Sequence, residues 1–89
     1  MDSIEKRVRM PPNAGRLNAY SRFYAQAEHG RIMGVYVQDA YEGLAIGKRR
    51  WVRSAEDLPG IMDGGCYVVT VIYIPGKMTV PTAWCNGDG

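Results

Sequence analysis

The densest run of reactive side chains is Lys48-Arg49-Arg50-Trp51-Val52-Arg53, four cations around one indole. Basic groups beside an aromatic ring can grip phosphates while the ring stacks on a base. The same set can pair with carboxylates on an acidic protein, with Trp51 as the aromatic anchor. In an extended strand, alternation puts Lys48 and Arg50 on one face and Arg49, Trp51 and Arg53 on the other. Glu42 precedes the run, and Glu56 and Asp57 follow it. That pattern equally suits a solvated edge strand, whose cations discourage edge-to-edge aggregation. The net charge of +2 is too small to single out a nucleic acid or a membrane as partner.

The two cysteines form the second constellation. If Ile74 and Lys77 flank a two-residue loop at Pro75-Gly76, the strands on either side set Cys66 opposite Cys85. The same register sets Tyr67 opposite Trp84, Val69 opposite Thr82 and Val71 opposite Val80. Such a cysteine pair has three readings: reduced thiols packed as small apolar groups, a disulfide, or a metal or redox centre. Zinc takes about four ligands, and the one histidine, His29, is the only other donor of that kind. The Cys-x-x-Cys spacing of thioredoxin-like chemistry is missing. A three-residue loop would slip the register by one and remove the pairing.

No catalytic pattern stands beside these two. His29 reads as a helix C-terminal cap. Asp39, Glu42, Glu56, Asp57 and Asp63 read as loop residues, with no pair placed for acid–base work. Ser21 and Ser54 lack an identifiable base. The glycines of 60–65 lack the Lys-Ser/Thr ending of a phosphate loop, and those of 43–47 have no helix behind them. The expectation is a protein that is not an enzyme and that uses no cofactor and no metal.

The elements that must carry these residues follow from periodicity. Residues 1–12 read as a basic N-terminal tail with Lys6, Arg7 and Arg9, closed by Pro11-Pro12. The remainder, 13–89, reads as one domain. Leu17, Tyr20, Tyr24 and Ala27 recur at helical spacing behind Asn13, a good N-cap, and ahead of Gly30, a good C-cap. A helix is therefore expected from residue 13 to residues 29–30. Period two takes over at residue 31, and a first strand is expected through Gln38. A second strand is expected over 44–53 with a kink at Gly47. Ser54 to Asp57 reads as one capped helical turn, stopped by Pro59-Gly60, with Ile61 and Met62 plugging the sheet edge. Gly64-Gly65 reads as a turn. The third strand, 66–74, is apolar on both faces and should be central. The fourth, 78–85, contains Pro81 and should lie at an edge. The expected fold is α+β: one N-terminal amphipathic helix packed on a small antiparallel sheet of about four strands.

The chain has 89 residues, six Tyr, two Trp and five Met, more adaptable apolar surface than so thin a core readily covers. One helix covers only one sheet face. The other face then needs a second copy or another protein, unless the tail and 55–63 supply the cover. Aromatics, Met and Arg are also enriched at interfaces. The leading expectation is a small protein-interaction module, an inhibitor or accessory protein of a mobile element, acting through Tyr36, Lys48, Arg49, Arg50, Trp51, Arg53, Tyr67 and Trp84. The expected partner is an acidic protein surface, with homodimerisation as a further expectation and no membrane. The first alternative is nucleic-acid binding through Lys48 to Arg53. The second is a small ligand bound between helix and sheet by Tyr hydroxyls and His29. Polar, acidic residues at 1–5 have no signal-peptide character, so the expected location is cytoplasmic.

Overall fold

The computed structural model describes residues 2–61, 65–76 and 80–86. Its frame is a five-stranded mixed sheet: β1 (Ser21–Gln26), β2 (Ile32–Val37), β3 (Arg49–Trp51), β4 (Gly65–Tyr73) and β5 (Thr82–Asn86). The order across the sheet is β3-β1-β2-β4-β5. A short helix, α1 (Asp2–Arg7), precedes it. The fold is α+β, as expected, but the helical part is small and the sheet dominates. No helix among the described residues is long and apolar enough to cross a membrane.

The expected helix over 13–30 is instead a strand between two single 3-10 turns, Leu17–Ala19 and Glu28–Gly30. The cause lies in two-sided burial. Tyr20, Arg22 and Tyr24 face one side of the sheet and Phe23 and Ala25 the other, and all five are buried. A strand buried on both faces shows no clean alternation. Tyr20 and Tyr24 fall on one face under either period, so the apolar stripe did not discriminate. Arg22 does: a helix would turn it to solvent, whereas the strand carries it inside. His29 and Gly30 adopt φ of 61° and 73°, left-handed conformations that close the β1–β2 hairpin rather than cap a helix.

β2 and β4 form where alternation and β-branched residues placed them. They pair antiparallel, with Tyr36 opposite Val69 and Val37 opposite Val68. β4 is central, as expected. β5 is an edge, with Pro81 just ahead of its first residue, where a missing N–H costs no ladder bond. The expected second strand shrinks to three residues. A turn bridged between Tyr41 and Leu44 fills its start, and Gly47, at φ 86°, breaks it. β3 then pairs parallel to β1, with Arg22 opposite Arg49 and Tyr24 opposite Trp51. This makes the sheet mixed; the fifth strand is β1, which stands where a helix is expected. The turn expected after Ser54 is present as the 3-10 turn Ala55–Asp57. Met62, Asp63, Gly64, Met78 and the polar end beyond Asn86 lie outside the described residues.

Each face of the sheet is covered by the chain itself. On one face Phe23, Ala25, Val35, Val37 and Val68 pack under Leu44 and Leu58, with Tyr41, Val52, Ala55 and Ile61 around them. On the other, Tyr24, Tyr36, Val69 and Val71 pack under Ile4, with Val8, Met10, Ala14, Leu17 and Ala19. The stretch expected to be a tail is thus part of the core, and Ile4 is only 2% exposed. The Tyr20 hydroxyl fastens this cover. It accepts from the Gly15 N–H at 3.0 Å and donates to the Cys66 carbonyl at 2.6 Å. Gly34 leaves room beneath it, because a Cβ there would come within 3.0 Å of the Tyr24 ring. The uncovered sheet face that motivated a second copy does not exist in this arrangement.

Candidate functional site

The expected partner-binding residues fall into separate places. β3 holds the basic run at one edge. Trp51 is 45% exposed there, on the α1 side of the sheet, in register with Tyr24. Arg49 shares that face and meets Glu5 of α1, Nη1 to Oε1, at 3.2 Å. Arg50 lies on the opposite face, its guanidinium 5.8 Å from the Phe23 ring centroid, and donates to the Glu42 carbonyl at 3.0 Å. Lys48 and Arg53 are exposed on either side of the strand. The β3 ladder is fixed by the Arg22 N–H donating to the Lys48 carbonyl and the Val52 N–H donating to the Tyr24 carbonyl.

Trp84 belongs to β5, at the far edge, four strand spacings or roughly 19 Å from β3. Tyr67 is on β4, and its hydroxyl donates to Asp39 Oδ2 at 2.8 Å. That bond holds the Tyr67 hydroxyl above its ordinary pKa. Tyr36 does not belong with these residues. It is fully buried and presents no surface to a partner. Alternation placed it on the right strand, but both faces of β2 turned out to be interior.

The cysteines meet, and the structure carries a Cys66–Cys85 disulfide. The register around it is composite. Along most of the β4–β5 ladder, Thr70 opposes Trp84 and Ile72 opposes Thr82, three residues away from the expected pairing. Cys85 itself opposes Val69 in this displaced register. The expected register recurs only where Gly65 opposes Asn86, so Cys66, Tyr67 and Val68 are extra residues on β4 and Cys66 reaches Cys85 from within the bulge. A bulge of this kind bends the strand and re-aims its side chains. Tyr67 is turned outward there, 43% exposed, away from Trp84.

Two features had no sequence counterpart. The first is a groove of about 430 Å³ between residues 55–61 and the sheet, with Met33, Val35, Leu58, Ile61, Thr70 and Trp84 in its lining. The Asn86 side-chain amide donates to the Ile61 carbonyl at 2.9 Å and ties this cover to β5. The groove does not match the expected pocket between helix and sheet. It lies on the other face from the three tyrosine hydroxyls, and His29 is exposed at the β1–β2 hairpin.

The second is a polar network under α1. Glu5 Oε2 accepts from the Tyr24 hydroxyl at 2.6 Å and lies 3.1 Å from Arg22 Nε. The Arg22 contact is an ion pair by proximity, since Nε is not aligned for a hydrogen bond. The Tyr24 and Tyr36 hydroxyls are 2.7 Å apart. Burial raises the pKa of both. Tyr36 is pushed up to about 12, and Tyr24 rises further because Tyr36 and Glu5 add to the effect. Among the described residues no three His, Cys, Asp or Glu side chains group as metal ligands.

These raised values make a pH prediction. The unfolded chain releases a tyrosine proton near 10.0, before folded Tyr36 does. The resulting stability is complete below that pH and is lost as the pH rises towards about 12. Urea midpoints should therefore hold steady below pH 10 and fall above it, and Tyr36→Phe should lessen the fall. A flat profile in the unsubstituted protein would contradict the buried network.

No family model, curated protein or solved structure matches the chain.

Proposed function

We propose that the protein is a non-enzymatic binding module that occupies an acidic surface on another protein through the β3 edge. The carrying observation is Trp51, a large aromatic side chain 45% exposed on a strand that the sheet holds in place, with exposed Lys48 and Arg53 at the ends of the strand and Arg50 on its other face. Anchors of this type concentrate binding energy because a rigid ring loses little freedom on docking. Arg50 is already held over Phe23 by its bond to Glu42, so it too is positioned before a partner arrives. Occupying a surface in this way is how inhibitors and accessory proteins work, and it needs no chemistry of the protein's own.

The test is Trp51→Ala. Exposure of the ring means the variant should keep its fold, with a stability change of about 1 kcal/mol or less. Its affinity for a protein captured by the wild type from host extract should fall about 30-fold or more, the scale of an anchor residue. An unfolded variant would make Trp51 a core residue, and unchanged binding would remove the anchor.

One observation favours nucleic acid as a second reading. The Glu5–Arg49 pair brings α1 against β3, and with it exposed Lys6 and Arg7. Phosphate binding at this surface would weaken steeply with salt. Titration of labelled single- and double-stranded oligonucleotides at two salt concentrations separates the readings: saturable, salt-steep binding favours the second, and no binding at low salt ends it.

A further inference from the structure

The two edges of the sheet are unlike. β3 is three residues long and sits inside the run Lys48–Arg53, so a second copy brought against it meets like charge. β5 is five residues long, and no residue from Val80 to Asn86 is charged. Among the described residues nothing pairs with its outer side. Natural edge strands are usually blunted by charge, brevity or cover. β5 has none of these over its described length, only Pro81 ahead of it. Large apolar side chains lie beside it: Val80 is 50% exposed and Trp84 43%.

We infer that β5 is a self-association edge, and that its occupant is β5 of a second copy of this chain. Two identical strands related by a twofold axis through the sheet plane run antiparallel, which is the pairing the edge offers. The same axis leaves both copies' Trp84 rings on one side of the extended sheet. Each ring also lines the groove under residues 55–61, on the face that continues across the contact. The absence of charge from 80–86 is what permits this, because no like-charged pair is forced together across the axis. Both β3 edges then lie at the outer ends of a ten-stranded sheet, away from the contact. The inference is independent of the role proposed for Trp51.

The experiment is sedimentation equilibrium from on the order of 10 μM to on the order of 1 mM, the range in which weak pairings are measured. It is run on the wild type, Thr82→Lys and Trp51→Ala, with and without reductant. Amide exchange on the same samples reports the fold and the β5 amides. Thr82 is exposed on β5, so its lysine adds edge charge without entering the core. The expected result is a reversible wild-type dimer whose β5 amides become protected with concentration. Thr82→Lys should weaken it at least about tenfold while the β2 and β4 amides stay protected. Trp51→Ala should leave it unchanged. A wild-type monomer at the top concentration overturns the inference. So does a dimer that Trp51→Ala dissociates and Thr82→Lys does not, or one that runs as a covalent dimer on a non-reducing gel.

Discussion

Glu5→Ala should lower the stability of the protein by about 3 kcal/mol, and by more than any other single charge removal in the described structure. Arg22 is the reason. It is 7% exposed, beneath α1, and among the described residues Glu5 is the carboxylate beside it. Removing the anion strands a buried cation, and that cost exceeds what the pair itself contributes. Bonds from Arg22 to the Leu17 and Gly47 carbonyls would remain, and they keep the loss from being larger. Tyr24 also loses its bond to Glu5, and the Glu5–Arg49 pair between α1 and β3 is lost. Urea unfolding of Glu5→Ala and Glu5→Gln checks this. Gln retains an acceptor for Tyr24 but no charge, so it should fall between the wild type and Ala. A loss under about 0.5 kcal/mol for Ala would mean that α1 contributes only its apolar contacts.

The second large effect concerns the disulfide. Cys66 and Cys85 are 19 residues apart, and closing a loop of that size restricts the unfolded chain by about 3 kcal/mol in the chain-entropy picture. The Cys66→Ser, Cys85→Ser double variant should be less stable by that amount, and the oxidised wild type treated with reductant should match it. The loss should be felt first at the bulge, because residues 66–68 are the part of β4 without ladder partners on β5. Exchange of the Tyr67 and Val68 amides should accelerate more than that of Val71. Equal stability with and without the bond would mean that the flanking β4–β5 ladder alone fixes this end of the sheet.

How much of this was legible depends on where the information sits. β2 and β4 were legible because their own side chains alternate or are β-branched throughout. The edge position of β5 was legible from Pro81. Cys66 and Cys85 meet as expected, but not through the register expected from the turn at Pro75-Gly76: the ladder is displaced by three residues, sets Cys85 opposite Val69, and leaves Cys66 to reach it from the bulge. No local pattern announces a three-residue bulge, since its extra residues are as apolar as the strand they interrupt. β1 is hidden in the sequence because Tyr20 and Tyr24 satisfy both periods, and because nothing local marks Arg22 as buried: its partner Glu5 belongs to another element. The cover from residues 4–19 is hidden for a related reason. Ile4, Val8 and Met10 are sparse among Lys6, Arg7 and Arg9, and only the finished sheet shows which side chains turn inward. At the candidate site, the exposure of Trp51 could be expected from the cations around it. The burial of Tyr36 could not, because it depends on a segment about thirty residues earlier in the chain. The parallel pairing of β3 with β1 is a long-range choice that three residues cannot encode.

The cover over Tyr24 and Tyr36 also bears on how the chain is made. Residues 4–19 are synthesised before every strand they pack against, and Val69 and Val71 come some fifty residues later. Until β4 is in place this segment has no complete surface to dock on. It must wait in water with Ile4, Val8 and Met10 exposed, the condition in which nascent chains stick to one another. Lys6, Arg7 and Arg9, interleaved with those apolar residues, keep the waiting segment solvated and mutually repulsive between chains. Cations interleaved in this way have a use while the chain is still being made that is separate from any surface they later help to form.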